Sequence, residues 1–399
     1  MHDAAHDILT LRAEAEALKP EAVAVRRDLH AHPEVGFEET RTARIVADAL
    51  RELGLTVDTQ VGRTGVVGVL DGTESGPTVL IRADMDALPM DELSTTPYAS
   101  TRPGVMHACG HDGHTAVGLM AAKLLASRAG ALRGAVKFVF QPAEETLGGA
   151  RAMIHDGVLE DPEVDVAFGL HLWTGSPVGT VSTKAGALMA GADTLEIRIK
   201  GRGGHAAMPH HTVDSIVVAA HVISALQTVV SRNVSPLDSA VVSFGQVEGG
   251  TAVNIIPETV RIGGTVCTFH NDVRLEVVKR IRDVAQGVAE SFGAEADVAV
   301  APVCEPTVND ADAAGLLMGV ARELLGESAV LPTAGVMGSE DMSFFLNRVP
   351  GCFFFVGAEP ASGPAYSHHS PYFDFNEDAM PVGAALMAGA ALRYLGLRA

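Results

Sequence analysis

Cysteine is scarce in this chain, with four residues in 399, at Cys109, Cys267, Cys304 and Cys352. They are too few and too widely spaced to form a disulfide framework, so a reducing cytoplasm is the expected compartment. Basic residues are also under-represented, 29 Lys and Arg against 49 Asp and Glu, a formal charge of −20. Nucleic acid and anionic membrane both select for a basic footprint, and neither is expected as a partner. No apolar run approaches the roughly 18 residues that a membrane-spanning helix needs. The opening Met1-His2-Asp3-Ala4-Ala5-His6-Asp7 has neither the basic nor the apolar region of a secretory signal. Repeats, charge blocks and low-complexity segments are missing too. What the chain does have is 47% hydrophobic and 20% charged residues. That composition supports a sizeable core, and the length allows two or three domains at about 150 residues each.

From about Asp7 to His30 the residues Leu11, Ala15, Leu18, Val25 and Leu29 recur at helical spacing. A second amphipathic helix is predicted from about Thr40 to Leu53, with Gly54 as its stop. The pattern then changes to short apolar runs that end abruptly in polar residues. Val79-Leu80-Ile81 leads towards Asp84-Met85-Asp86, and Val136 to Phe140 into Gln141-Pro142-Ala143-Glu144-Glu145. Val164 to Leu170 leads into His171, and Cys352 to Val356 into a loop carrying His368 and His369. Such runs, alternating with helices such as Thr115 to Ser127, predict an α/β fold with a mixed sheet covered by helices.

Between about Ala187 and Val303 the texture differs. Strands are predicted at Thr194–Ile199, Ala240–Gln246 and Thr259–Thr265, and helices at Val213–Val230 and Leu275–Ser291. With a closing strand this is the order of a ferredoxin-like α+β domain. The expected division is therefore a body of residues 1–186 and 304–399, interrupted by an inserted domain of residues 187–303.

In open α/β sheets, ligand sites form beyond the carboxyl ends of strands, where the polar groups of this chain gather. His107-Ala108-Cys109-Gly110-His111-Asp112-Gly113-His114 concentrates three His, one Cys and one Asp immediately before a predicted helix. Thiolate and imidazole are ligands for zinc and similar divalent metals, and the intervening glycine lets Cys109 and His111 converge. Glu144 and Glu145 follow a strand that reads as buried, where two like charges call for a cation nearby. Taken singly, a Cys is usually a small core hydrophobe, a His after a strand a turn residue, and adjacent glutamates a solvated face. Four strand ends supplying such groups together point to a metal-hydrolase site.

Arg82-Ala83-Asp84-Met85-Asp86-Ala87-Leu88-Pro89, His107 to His114, Gln141 to Glu145 and Gly169-Leu170-His171 occur in that order. Met337-Gly338-Ser339-Glu340-Asp341 and His369-Ser370-Pro371 follow, and Arg27 to Glu34 adds an N-terminal match. Together they closely resemble the dinuclear-metal aminoacylase/carboxypeptidase family, in the branch of hippurate hydrolases and plant indole-acetyl–amino acid hydrolases. The resemblance spans nearly the whole chain. It implies Cys109, His111, Glu145, His171 and His369 as ligands of two divalent ions per subunit, manganese, zinc, nickel or cobalt. Glu144 is implied as the general base and Asp86 as a carboxylate that orients a ligand or the base. Asp84 is read as closing its strand and His368 as a bystander. The inserted domain is implied to be a lid that mediates a homodimer or higher homo-oligomer. His205, in Gly201-Arg202-Gly203-Gly204-His205, and Asn254 are implied to contact substrate, His205 in cis or in trans. Cys267 stands where many relatives have an arginine, which leaves selectivity for a free carboxylate open. The implied reaction is hydrolysis of the amide bond of N-acyl amino acids such as acetyl or benzoyl derivatives. Alternatives are a dipeptidase or carboxypeptidase of the same family, or a non-catalytic metal- or ligand-binding relative.

Overall fold

The computed structural model describes residues 4–397. By internal contacts the chain forms two compact units. The first comprises Met1–Leu188, Val308–Gly335 and Asp341–Ala399; the second comprises Met189–Thr307 and Val336–Glu340.

The first unit opens with α1 (Ala4–Ala31) and α2 (Thr40–Glu52), after which Gly54 turns the chain at φ +83°. There follow β1 (Thr56–Val61), β2 (Gly65–Asp71), β3 (Glu74–Asp84), α3 (His111–Ala126), β4 (Arg133–Gln141) and α4 (Gly149–His155). Next come β5 (Val166–Trp173), β6 (Val181–Ser182) and β7 (Gly186–Met189), which leads out of the unit. The second unit contains β8 (Gly191–Lys200), β9 (Gly204–His205), α5 (Ser215–Asn233), β10 (Ala240–Gly249), β11 (Ile255–Ile256), β12 (Thr259–Thr268), α6 (Asn271–Ser291) and β13 (Glu295–Cys304). The chain returns through β14 (Thr307–Asn309) to α7 (Ala311–Leu325), β15 (Val330–Leu331), α8 (Ser343–Leu346), β16 (Gly351–Gly357) and α9 (Ala379–Leu397).

The first unit is built on an eight-stranded sheet in the order β1-β2-β4-β3-β5-β16-β6-β15. Its central strands β4, β3, β5 and β16 run parallel, so their carboxyl ends share one edge. The last seven residues of β3 and all of β16 are buried, as expected for strands covered on both faces. Val79, Ile81, Phe138, Phe168 and Phe354 join residues from α1, α3 and α9 in one continuous core. In the second unit β10-β12-β8-β13 form an antiparallel sheet, and the chain order β8-α5-β10-β12-α6-β13 is the ferredoxin-like one. Leu195, Ile197 and Ile199 alternate along β8 and pack with Val222, Leu226 and Ile281 from the two helices.

Two expectations need correcting. The helix predicted from Thr115 begins at His111, because Gly110 at φ +93° turns the chain so that His111 to His114 form its first turn. Two helices are also long and apolar enough on length and composition to cross a membrane, Ser215–Asn233 and Ala379–Gly396. In the first, His221, Ser224 and Gln227 break the apolar run; in the second, the run from Ala379 to Leu392 stops at Arg393. The second packs in the body's core, where 78% of it is buried.

The seat of α3 on the sheet is tight. A Cβ at Gly118 would come within 2.9 Å of the Phe140 ring and 3.0 Å of the Ala83 Cβ. Gly118→Val is therefore expected to force α3 outward at a cost of about 1–3 kcal/mol, read as a lowered urea midpoint. An unchanged midpoint would show that the helix yields freely.

Candidate metal centre

The groups converge where the parallel strands end, all within the first unit. β3 runs on to Asp86, α3 begins at His111 with Cys109 just before it, and β4 leads to Glu144 and Glu145. His171 lies within β5, while His369 belongs to the loop after β16. Five of these residues are buried to 9% exposure or less, but Glu145 is half-buried and His369 is exposed.

Cys109, His111 and His171 form one group whose ligand atoms all lie within 4.8 Å of one another, and Cys109, Glu145 and His369 form a second. The Cys109 sulfur is common to both. Its distance to His171 Nε2 is 3.3 Å, and His369 Nε2 is 3.4 Å from Glu145 Oε1. A third such group joins His111 to Glu144 and Glu145. Another, Asp84, His111 and His114, is largely satisfied internally by the 2.6 Å bond between Asp84 Oδ1 and His114 Nδ1.

Hydrogen bonds fix which nitrogen each imidazole presents. His111 Nδ1–H donates to the Asp86 carbonyl oxygen at 2.9 Å and to Asp86 Oδ1 at 3.2 Å. His171 Nδ1–H donates to the Leu172 carbonyl at 2.8 Å. In both rings Nε2 is left for the centre, the arrangement typical of metal-binding histidines. His111 Nε2 has no hydrogen-bond partner among the described residues and Glu145 Oε1 has only the 3.4 Å approach of His369 Nε2, although both atoms are buried. Under-satisfied polar atoms of this kind, belonging to the two groups that share Cys109, fit a pair of divalent cations.

The electrostatics agree. Burial alone would depress the His111 imidazole, but Asp84 and Asp86 outweigh it and raise its pKa well above the ordinary value, so the position favours positive charge. Burial, followed by neighbouring His114 and His368, pushes His171 well below its usual range and keeps it neutral. Burial pushes the Cys109 thiol up to about 12. A cation bound there must displace a proton.

Asp86 ties the loops together: its Oδ1 accepts from the Glu144 amide and its Oδ2 from the Glu145 amide, both at 3.0 Å. Glu144 Oε2 lies 3.9 Å from His111 Nε2. His205 and Asn254 belong to the second unit, where the β9–β11 ladder pairs His205 with Ile255 and Ala206 N–H donates to the Asn254 carbonyl at 3.1 Å. Cys267 sits half-buried on β12 of the same unit.

Several residues do more than sequence reading assigned them. His114 accepts the Leu172 amide at Nε2, 2.9 Å away, and His368 Nε2 lies 3.0 Å from the Leu172 carbonyl, so His368 braces the backbone beside His171 instead of standing by. Behind α3 the fully buried Arg26 donates to Asp112 Oδ2 at 2.8 Å, and His30 Nδ1 lies 2.8 Å from the same oxygen. Burial would raise the Asp112 carboxyl, but these two groups hold it well below the usual range. Nearby His107 has two buried ring nitrogens with no hydrogen-bond partner among the described residues, and burial pushes its pKa down to about 4. The available signal was a charged residue inside a helix or strand that otherwise reads as buried.

The family model for peptidase family M20/M25/M40 matches residues 80–393. The chain belongs to this family. It is 44% identical over 378 residues to the IAA-amino acid hydrolase ILR1-like 4 of Arabidopsis thaliana, covering 94% of this chain and 85% of that protein. It is 40% identical over 393 residues to the hippurate hydrolase of Campylobacter jejuni, covering 98% of each. Among solved structures it resembles the Bacillus subtilis YXEP protein, described as a dinuclear metal binding peptidase from the M20 family. There the TM-score is 0.83 at 36% identity, over 96% of this chain and 99% of that one.

Because one sulfur serves both groups, Cys109→Ala is expected to weaken uptake of both cations together. The loss should exceed the roughly 10–100-fold that an outer partner is worth. His369→Ala should weaken mainly one. Metal content after dialysis at graded free metal checks this, and proton release on metal addition should fall in the Cys109 variant. Equal stoichiometry in wild type and Cys109→Ala would refute the shared ligand.

Proposed function

We propose that the protein hydrolyses the amide bond of N-acyl amino acids, releasing a carboxylic acid and a free amino acid. The observation that carries this reading is the pair of ligand groups sharing the Cys109 sulfur, with the Glu144 carboxylate beside them. Cys109, His111, Glu145, His171 and His369 would hold two divalent cations. Thiolate and imidazole suit zinc, nickel or cobalt, and the carboxylate suits manganese. When bound, the cations supply Lewis-acid polarisation of the attacking water and of the scissile carbonyl.

Glu144 takes the proton of the attacking water on its carboxylate and returns it to the amide nitrogen as the C–N bond breaks. It is a general base that becomes a general acid. Asp86 keeps that carboxylate in place by gripping the amides of Glu144 and Glu145, and it fixes the His111 tautomer. The body, residues 1–186 and 304–399, carries this chemistry, and residues 187–303 act as the lid. His205 stabilises the charge that develops on the carbonyl oxygen, and Asn254, the residue before β11, contacts substrate. Relatives named for hippurate and for IAA-amino acids support an N-acyl amino acid as substrate.

The lid also serves as the subunit contact of a homodimer. Support comes from β10, an edge strand with exposed Val247, and from α5, with exposed Ile216 and Val217. A free thiol among the ligands suits a reducing compartment such as the cytoplasm.

Glu144→Gln keeps the side chain's size but cannot accept a proton. It is expected to lower kcat by roughly 10²–10⁴-fold while metal content and melting temperature stay at wild-type values. The assay is turnover of N-acetyl, N-benzoyl and indole-acetyl amino acids beside dipeptides, with manganese, zinc, nickel or cobalt. Faster turnover of dipeptides throughout the panel would favour a dipeptidase instead.

A further inference from the structure

We infer that Asp341 and Arg82 are positioning residues for the general base, an inference that rests on the reading of Glu144 as that base. The Asp341 amide donates to Glu144 Oε1 at 3.4 Å, leaving Oε2 on the side of His111. One oxygen is tethered and the other is turned to the centre.

The place of that amide is set by its own side chain. The buried Asp341 carboxylate accepts from Arg82 Nη2 at 3.0 Å and from Gln141 Nε2 at 2.7 Å on Oδ1, and from the Ala150 amide at 3.1 Å on Oδ2. Arg82, equally buried, donates in addition to Gln141 Oε1 at 2.9 Å and to Asp84 Oδ2 at 2.7 Å. The other Asp84 oxygen holds His114, which accepts the Leu172 amide beside His171. Arg82 thus stands at the fork of two chains of charge-assisted bonds. One ends on the base and the other on the backbone next to a candidate ligand, so a single guanidinium sets their separation.

Asp341→Asn tests this, because it keeps the volume and the backbone amide but places an NH2 group against donors. Its kcat should fall roughly 10- to 100-fold, the loss expected from misplacing a catalytic group by about an ångström. KM and metal stoichiometry should stay close to wild type, while the melting temperature falls because the buried charge pair with Arg82 is lost. Gln141→Met, which removes one donor from Asp341, should give a smaller loss in the same direction and carries the test if Asp341→Asn melts too low. The deciding readout is the double variant with Glu144→Gln. Once the base is gone, Asp341→Asn should add almost nothing to the loss, whereas a merely structural defect would lower kcat by the same factor in either background. Additive losses, or wild-type kcat in Asp341→Asn, overturn the inference alone. Wild-type turnover in Glu144→Gln overturns the base assignment, and the inference with it.

Discussion

One buried carboxylate holds the centre. Asp86 accepts from the His111 ring and from the amides of Glu144 and Glu145. Those donors come from two different segments, the start of α3 and the loop after β4, while Asp86 itself follows β3. The parallel register of β3 and β4, with Asp84 opposite Gln141, delivers all three to the same edge of the sheet. A charged acceptor with two oxygens has room for these bonds, and each is stronger than a neutral one. Since an unpaired buried charge is costly, no one segment can drift without stranding Asp86. The sheet register and the placing of the base are therefore one constraint.

The same edge collects Asp84, Asp86, Glu144, Glu145 and Asp341. Two kinds of positive charge answer them. Arg82 pairs with Asp84 and Asp341, as Arg26 pairs with Asp112 on the far side of α3. A guanidinium stays charged and spreads several donors in a plane, which suits links that must be permanent. Removing one member of such a buried pair costs about 3–5 kcal/mol. The remaining negative charge faces His111, His369 and Cys109, whose protons can be exchanged for a cation. That excess is why the His111 position favours positive charge, and it fits an acidic chain that concentrates carboxylates where a divalent ion can offset them.

Much of this was legible in the sequence because strands and ligand groups leave local marks. Apolar runs stopping at Asp84, Gln141 and His171 gave away a sheet covered on both faces and its functional edge. Period-two alternation around Thr194–Ile199 gave away a sheet with one covered face. The supporting pairs left no such mark. Arg26 meets Asp112 across 86 positions and Arg82 meets Asp341 across 259. Neither pairing has a period, and each arginine reads locally as a polar interruption of an apolar pattern. The start of α3 was misplaced because a left-handed glycine converts a loop-like motif into a first helical turn within one residue.

That glycine belongs to a wider device. Neighbouring residues here have divergent tasks: Glu144 faces Asp341 and His111, while Glu145 faces His369; His368 meets Leu172, while His369 meets Glu145. A regular strand would send such neighbours to opposite faces and a helix would fan them apart. Here left-handed backbone does the redirecting, at Gly110 (φ +93°), at Ala143 (φ +50°) before the glutamates, and at His369 itself (φ +65°). For a residue with a side chain that conformation costs on the order of 1–3 kcal/mol and persists only where its surroundings overdetermine it. They do so here. Glu39 takes the Ala143 amide at 2.8 Å, Asp86 takes the next two, and the His369 amide donates to the Ala108 carbonyl at 2.8 Å, one residue before Cys109. The strain at the glutamates and at His369 is thus held by the framework that places Cys109, so the candidate ligands and the candidate base are arranged as one unit.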